Sequence, residues 1–129
     1  MAGWRPDNIF AITLFVEDLD AAKEFYRSVF ALPVHYEDHD SAVFAFGGVL
    51  VNLLAVSQAP ALVEPAPVGG PGAGARFQLT IRVDDVDAAA HEAVSRGAVL
   101  LNGPVDRPWG VRTAAFRDPA GHVWELADH

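Results

Sequence analysis

The side chains that could do chemistry in this 129-residue chain are five histidines and seventeen carboxylates, with no cysteine. Without thiols there is neither thiolate chemistry nor a disulfide, and a reducing compartment is permitted though not required. The histidines do not gather. His91 falls in a helical stretch and His129 is the last residue, while His35 and His39 are four apart in a strand and turn, where that spacing does not focus two rings as a helix would. His122 is an odd number of residues from Glu125, so the two face opposite sides of one strand. No phosphate-binding loop, nucleophile with an adjacent base, or nucleic-acid motif is present. What remains is a set of strand residues of mixed character: Ala11, Thr13 and Phe15, and then Gln78, Thr80 and Arg82. Such a face is too polar for a sealed core and too apolar for open solvent. It lines a cavity, or it is a solvated outer face with one chance Phe.

The elements that must position these residues come from a repeat. Phe10 to Ala22 (FAITLFVEDLDAA) recurs as Phe77 to Ala89 (FQLTIRVDDVDAA), and only Ala11/Gln78 and Phe15/Arg82 differ in kind. Each copy reads as a strand feeding a helix, an apolar run giving way to acidic residues and then alanines. Asp18 and Asp85 are placed to cap the helices, and Asp20 and Asp87 lie near the positive end of the helix dipole. Ala22, Phe25, Tyr26 and Val29 then recur at helical spacing, as do Val86, Ala89, Ala90 and Ala93, and Gly97 suits a left-handed stop. On the strands, Phe10, Ile12, Leu14, Val16 and Phe77, Leu79, Ile81, Val83 make the apolar faces that cover the helices.

Between the repeats the pattern is strand-rich. His35 to Asp38 reads as a short strand; Ser41 to Phe46 and Val49 to Ala55 flank Gly47-Gly48, a two-residue hairpin signal. In the second half, Val99 to Asn102 and Thr113 to Arg117 read as strands. A turn at Asp118-Pro119-Ala120-Gly121 leads to a last strand from His122 to Leu126. The fold class is therefore α+β, with two βαβββ modules at about 6–58 and 75–128. Residues 59–74, with four prolines and four glycines, read as a linker that forms neither helix nor ladder. One chain of this length buries about two-thirds of its unfolded surface as a single domain. A hydrophobic fraction of 51% rules out wholesale disorder, and a formal charge of -8 argues against nucleic acid or an anionic membrane as partner. The run Ile9 to Val16 passes straight into Glu17 and Asp18 without a cleavage site, so it does not read as a signal peptide, and cytoplasm is the default location.

A duplicated βαβββ unit carrying FVEDLDAAKEFY (Phe15 to Tyr26), IRVDDVDAA (Ile81 to Ala89) and WGVRTAAFRDPAGHVWEL (Trp109 to Leu126) resembles the vicinal oxygen chelate superfamily. Glyoxalase I, extradiol dioxygenases, fosfomycin-resistance enzymes and bleomycin-resistance proteins belong to that group. Phe30-Ala31 stands where the family usually has Leu-Gly. The resemblance implies a curled mixed sheet around a cavity, and in metal-dependent members one ligand on the first and last strand of each half. Ala11, Asn52, Gln78 and Glu125 match those places. Alanine has no donor and the amides offer only a neutral oxygen, so no metal and no cofactor are expected. Glu125 has two readings, a cavity carboxylate binding a donor or cation, or a structural group bonded to Gln78 or Arg82. Trp109 also has two, a plug on the barrel mouth or a platform for a planar ligand.

The reading that results is a metal-free small-molecule binding protein resembling the bleomycin-resistance branch. It would sequester an aromatic or cationic compound among Phe15, Leu50, Asn52, Gln78, Thr80, Arg82, Trp109 and Glu125. A metal-dependent lyase, isomerase or dioxygenase of the glyoxalase type is the alternative, and a dimeric scaffold with a vestigial cavity is the third reading. A homodimer is expected, with the cavity formed within one chain or by exchanged halves.

Overall fold

In a computed structural model that describes residues 8–129, the chain forms β1 (Ala11–Val16), α1 (Leu19–Val29), β2 (Tyr36–Glu37), β3 (Ser41–Phe46) and β4 (Val49–Ala55), then α2 (Ala59–Val63). The second half supplies β5 (Gln78–Arg82), α3 (Val86–Ser95), β6 (Leu100–Asp106), β7 (Arg112–Arg117) and β8 (Val123–Ala127). Trp4, Arg5 and the first two positions of the expected first module lie outside the described residues. The order in one sheet is β1-β4-β3-β2 and in the other β5-β8-β7-β6, so the duplication in sequence is a duplication in topology. Both sheets are mixed, because β1 runs parallel to β4 and β5 parallel to β8 while the other pairs are antiparallel. They stay separate sheets and do not close into a barrel.

The helices start where the carboxylates are. Asp18 accepts from the Ala21 amide and Asp85 from the Ala88 amide, each at 3.0 Å, satisfying a donor that the first turn leaves free. Two expectations need correction. The linker contains the short helix α2 and a single 3₁₀ turn at Pro71–Ala73. Pro60 falls in the first turn of α2, where its missing N–H costs nothing, and Ala61 and Leu62 are good helix formers. Phe10 and Phe77, read as helix-covering residues, are 74% and 52% exposed; each precedes its strand and lies beyond the packed cluster. Ala31 adopts φ +54, the left-handed backbone that glycine takes without penalty, at a cost of about 1 kcal/mol.

Strand register decides which faces meet. Leu14, Leu53 and Ala42 form one row across β1, β4 and β3, and all are buried; Ile81, Leu126 and Ala114 form the matching row of the second sheet. These faces, with Tyr26 and Val29 of α1 and Ala90 and Ala93 of α3, share one core spanning both halves. The halves are therefore packed back to back, helix sides inward. Aromatic rings fill the junction: Tyr26 lies 5.7 Å from Phe44 and 5.9 Å from Trp124, and Phe30 lies 4.8 Å from Trp124. Polar groups pin it. The Tyr26 hydroxyl donates to Asp118 Oδ2 (2.7 Å) and accepts from the Trp124 indole (2.9 Å), while Asp118 Oδ1 accepts from the Ala120 and His122 amides. Burial first, then the Asp118 charge, holds the Tyr26 pKa far above that of a free phenol, so the proton of the bridge stays on the tyrosine.

Removing that hydroxyl leaves the indole N–H unpaired and takes one donor from a carboxylate that is 2% exposed. Tyr26→Phe is therefore expected to lower stability by about 2–3 kcal/mol, read as a shifted midpoint with unchanged slope in urea unfolding. A loss below about 0.5 kcal/mol would show that the bridge does not hold the halves together.

Candidate functional site

The faces turned away from the core are the ones that hold the expected site residues. On the first sheet the outward rows are Ala11–Leu50–Ala45, Thr13–Asn52–Val43 and Phe15–Leu54–Ser41. On the second they are Gln78–Val123–Arg117, Thr80–Glu125–Ala115 and Arg82–Ala127–Thr113. Within one chain Phe15, Leu50 and Asn52 thus share one face, and Gln78, Thr80, Arg82 and Glu125 share another on the far side of the common core. A cavity of about 450 Å³ opens between the sheets, bordered by Ile12, Phe46, Leu79, Thr80 and Trp124, and one of about 250 Å³ passes Thr13, Phe15 and His122. Neither gathers the expected set.

Individual residues are more informative. The Thr80 hydroxyl donates to Glu125 Oε1 at 2.9 Å, so the structural partner of this carboxylate is Thr80 and not Gln78 or Arg82. Asn52 Oδ1 is buried with no hydrogen-bond partner among the described residues, an unsatisfied acceptor that costs about 1–3 kcal/mol. Trp109 is 71% exposed in the turn closed by the Gly110 amide on the Arg107 carbonyl, so within one chain it plugs nothing and presents its ring to solvent. His122 turns away from Glu125: its Nε2 lies 2.9 Å from the Phe15 carbonyl oxygen.

The second face also carries a group that the sequence did not single out. The Arg107 guanidinium donates from Nε to Thr113 Oγ1 and from Nη2 to Asn102 Oδ1, both at 2.9 Å, and Thr113 is only 2% exposed. Asn102 and Arg107 are five residues apart and would face opposite sides of a regular strand. The register of β6 slips between Leu100 and Asn102 and again between Asn102 and Val105, and the second slip brings Asn102 and Arg107 to one face. Gly103 makes the slip possible, at φ +82 with a would-be Cβ 2.5 Å from the Thr113 carbonyl oxygen. The strand expected over Val99 to Asn102 in fact runs on to Asp106, and the glycine-proline step directly after the expected end was the one signal available.

The four positions that the resemblance matches to metal ligands do not suit a metal here. Ala11 brings no donor, Asn52 and Gln78 bring neutral oxygens, and the sole carboxylate, Glu125, is engaged by Thr80. Among the described residues no three His, Asp or Glu side chains converge. Elsewhere charge is used structurally: Arg112 bridges Asp87 and Asp106 at 2.7 and 3.1 Å, and its hydrogen bonds hold the Asp87 carboxyl below the usual range. Among the described residues no helix is long and apolar enough to cross a membrane.

Comparison with known proteins agrees with this architecture. Residues 8–126 match the model of the Glyoxalase/Bleomycin resistance protein/Dioxygenase superfamily. YraH of Bacillus subtilis is 30% identical over 122 residues, covering 92% of this chain and 95% of that protein. CFP32 of Mycobacterium bovis is also 30% identical over 122 residues, but the match spans only 45% of that longer protein. Among solved structures, a glyoxalase/bleomycin resistance protein/dioxygenase from Nocardioides superposes with TM-score 0.83 at 24% identity, covering 98% of this chain and 85% of that one. A lactoylglutathione lyase from Agrobacterium tumefaciens superposes with TM-score 0.73 at 26% identity, covering 95% and 94%. The chain belongs to the Glyoxalase/Bleomycin resistance protein/Dioxygenase superfamily.

Proposed function

We propose that this protein binds a small molecule without a catalytic metal, in the manner of the bleomycin-resistance branch, and holds a planar, partly apolar compound. The donor set carries the reading: three of the four positions suited to metal ligands hold Ala11, Asn52 and Gln78, which can line a binding site but cannot hold a catalytic divalent ion. The exposed Trp109 ring supplies a stacking surface, Phe15 a second one, and Asn52, Gln78 and Glu125 the polar contacts that fix orientation. The unpaired Asn52 Oδ1 marks a place where a donor from outside the chain would relieve a standing cost.

The complete site is proposed to need two copies of the chain. Its two faces diverge within one copy, and β1 and β5 are both edge strands, so the first face of one chain and the second face of another are free to close on a common ligand. The linker joins the modules and, through Gly69, Gly70 and Pro71, borders the smaller cavity beside Thr13 and Phe15.

An aromatic platform adds about 0.5–1.5 kcal/mol beyond its buried area, so Trp109→Ala is expected to weaken binding at least several-fold. The measurement is a titration of intrinsic fluorescence against a panel of planar aromatic compounds, repeated with Trp109→Phe to separate its signal from Trp4 and Trp124. Binding that survives Trp109→Ala and Phe15→Ala unchanged would remove the basis for sequestration.

The likeness to a lactoylglutathione lyase favours a second reading, a metal-dependent lyase or isomerase. Elemental analysis separates the two. Protein purified without chelator is expected to carry no stoichiometric zinc, iron, manganese or nickel; one equivalent, lost on Glu125→Gln, would favour the enzyme.

A further inference from the structure

We propose that the outward face of the second sheet is an oxyanion subsite built around Arg107, which takes the carboxylate or phosphate group of an otherwise planar, apolar ligand. The proposal rests on the ligand-binding reading above and specifies the charge of what is bound.

The observation behind it is how this acidic chain spends its cations. Carboxylates outnumber Lys and Arg by seventeen to nine, so an arginine has partners to choose from. Lys23, Arg27, Arg96 and Arg112 each pair with a carboxylate. Arg76, Arg82, Arg107 and Arg117 form no ion pair among the described residues; Arg76 precedes β5, and the other three belong to one sheet face, Arg82 and Arg117 by strand register and Arg107 by its bond to Thr113. Glu125 is the one carboxylate on the strands of that face. Three guanidinium groups against one carboxylate leave an excess of two positive charges. The outward strand residues of the first sheet, from Ala11 and Thr13 to Asn52 and Val43, carry no charge that would cancel it.

Arg107 differs from the other two in being held. Its two bonds go to neutral acceptors, one of them nearly buried, so the fork is oriented while its charge stays uncompensated. That leaves Nη1 free of any protein partner among the described residues. A guanidinium fixed in this way loses little rotamer freedom when it grips an oxyanion, and its planar donors match the two oxygens of a carboxylate. Glu125 does not compete for it, because Glu125 is tied to Thr80 on the β5 side while Arg107 sits above β7, with Ala115 between. A cation would meet net repulsion here. A polyanion such as nucleic acid would be repelled by the formal charge of -8 on the whole chain, so the fitting ligand is a small compound with a single oxyanion group.

Isothermal titration of the full chain with 2-naphthoate, 2-naphthyl phosphate and the neutral 2-naphthamide tests this. At least one of the two anions is expected to bind about tenfold tighter than the amide, and which one does so identifies the group recognised. Arg107→Gln is expected to bring the three affinities to within about twofold of one another. Thr113→Val, which keeps the shape and removes the acceptor of Nε, should lose part of the preference, and Arg96→Gln, on the far helix, should leave it intact. Equal binding of anion and amide by the unmodified protein overturns the oxyanion subsite while leaving the binding function standing, and needs no variant to fold. A preference that survives Arg107→Gln also overturns it. Failure of all three compounds to bind at millimolar concentration overturns both.

Discussion

A buried carboxylate sets the shape of this molecule. Asp118 is removed from water, where an uncompensated charge would cost several kcal/mol, and is held by three donors: the Ala120 and His122 amides of its own turn and the hydroxyl of Tyr26 from the other half. The local pair of amides forms wherever the turn forms. The third bond forms only if α1 lies against the start of β8, and the indole of Trp124 completes the chain by donating to the same hydroxyl. Hydrophobic burial would bring the halves together in many ways; this contact selects one, with both helices inward and the mixed sheet faces outward.

How much of this was legible in the sequence follows from the range of each interaction. The repeat, the caps at Asp18 and Asp85 and the strands on either side of Gly47-Gly48 depend on neighbours within a few residues, so periodicity revealed them. Tyr26 and Trp124 are 98 apart in the chain, and each reads simply as one more apolar position; nothing local says that they meet. The helix Ala59–Val63 was missed because prolines and glycines dominate the stretch, although one proline sits where a helix tolerates it. Arg107 was missed because the expected strand stopped at Asn102, and because the slip in β6 between Asn102 and Val105 reverses the parity on which face assignment relies. The candidate site was legible as residue types and as faces, but not as a place, since register tells which residues share a face and not which faces meet.

The same geometry gives the family fold a meaning for this chain. Where a metal-dependent relative would need anionic or imidazole donors, the strands offer Ala11, Asn52 and Gln78, and the polarity that remains is concentrated on the second sheet as Glu125 and three arginines without an ion pair among the described residues. In the proposed site, an apolar first face with Phe15 and Leu50 and a charged second face would serve as complementary halves of a pocket for an amphipathic molecule. Back-to-back packing explains why the proposed pocket would draw one half from each of two chains: the contact that stabilises a single chain is the one that separates its faces.

Mixing two damaged chains tests this most directly. Phe15→Ala removes the proposed stacking ring of the first face, and Trp109→Ala the one in the turn between β6 and β7 of the second sheet. When the variants are co-refolded in equal amounts, exchanged pairing reunites an intact first face with an intact second face in every mixed dimer. Random pairing then restores about one quarter of the tight sites of the unmodified protein for the aromatic compound that binds it best. The account predicts that recovery in a titration of the mixture; a mixture that binds no better than the two variants measured apart would show that the site is completed within a single chain.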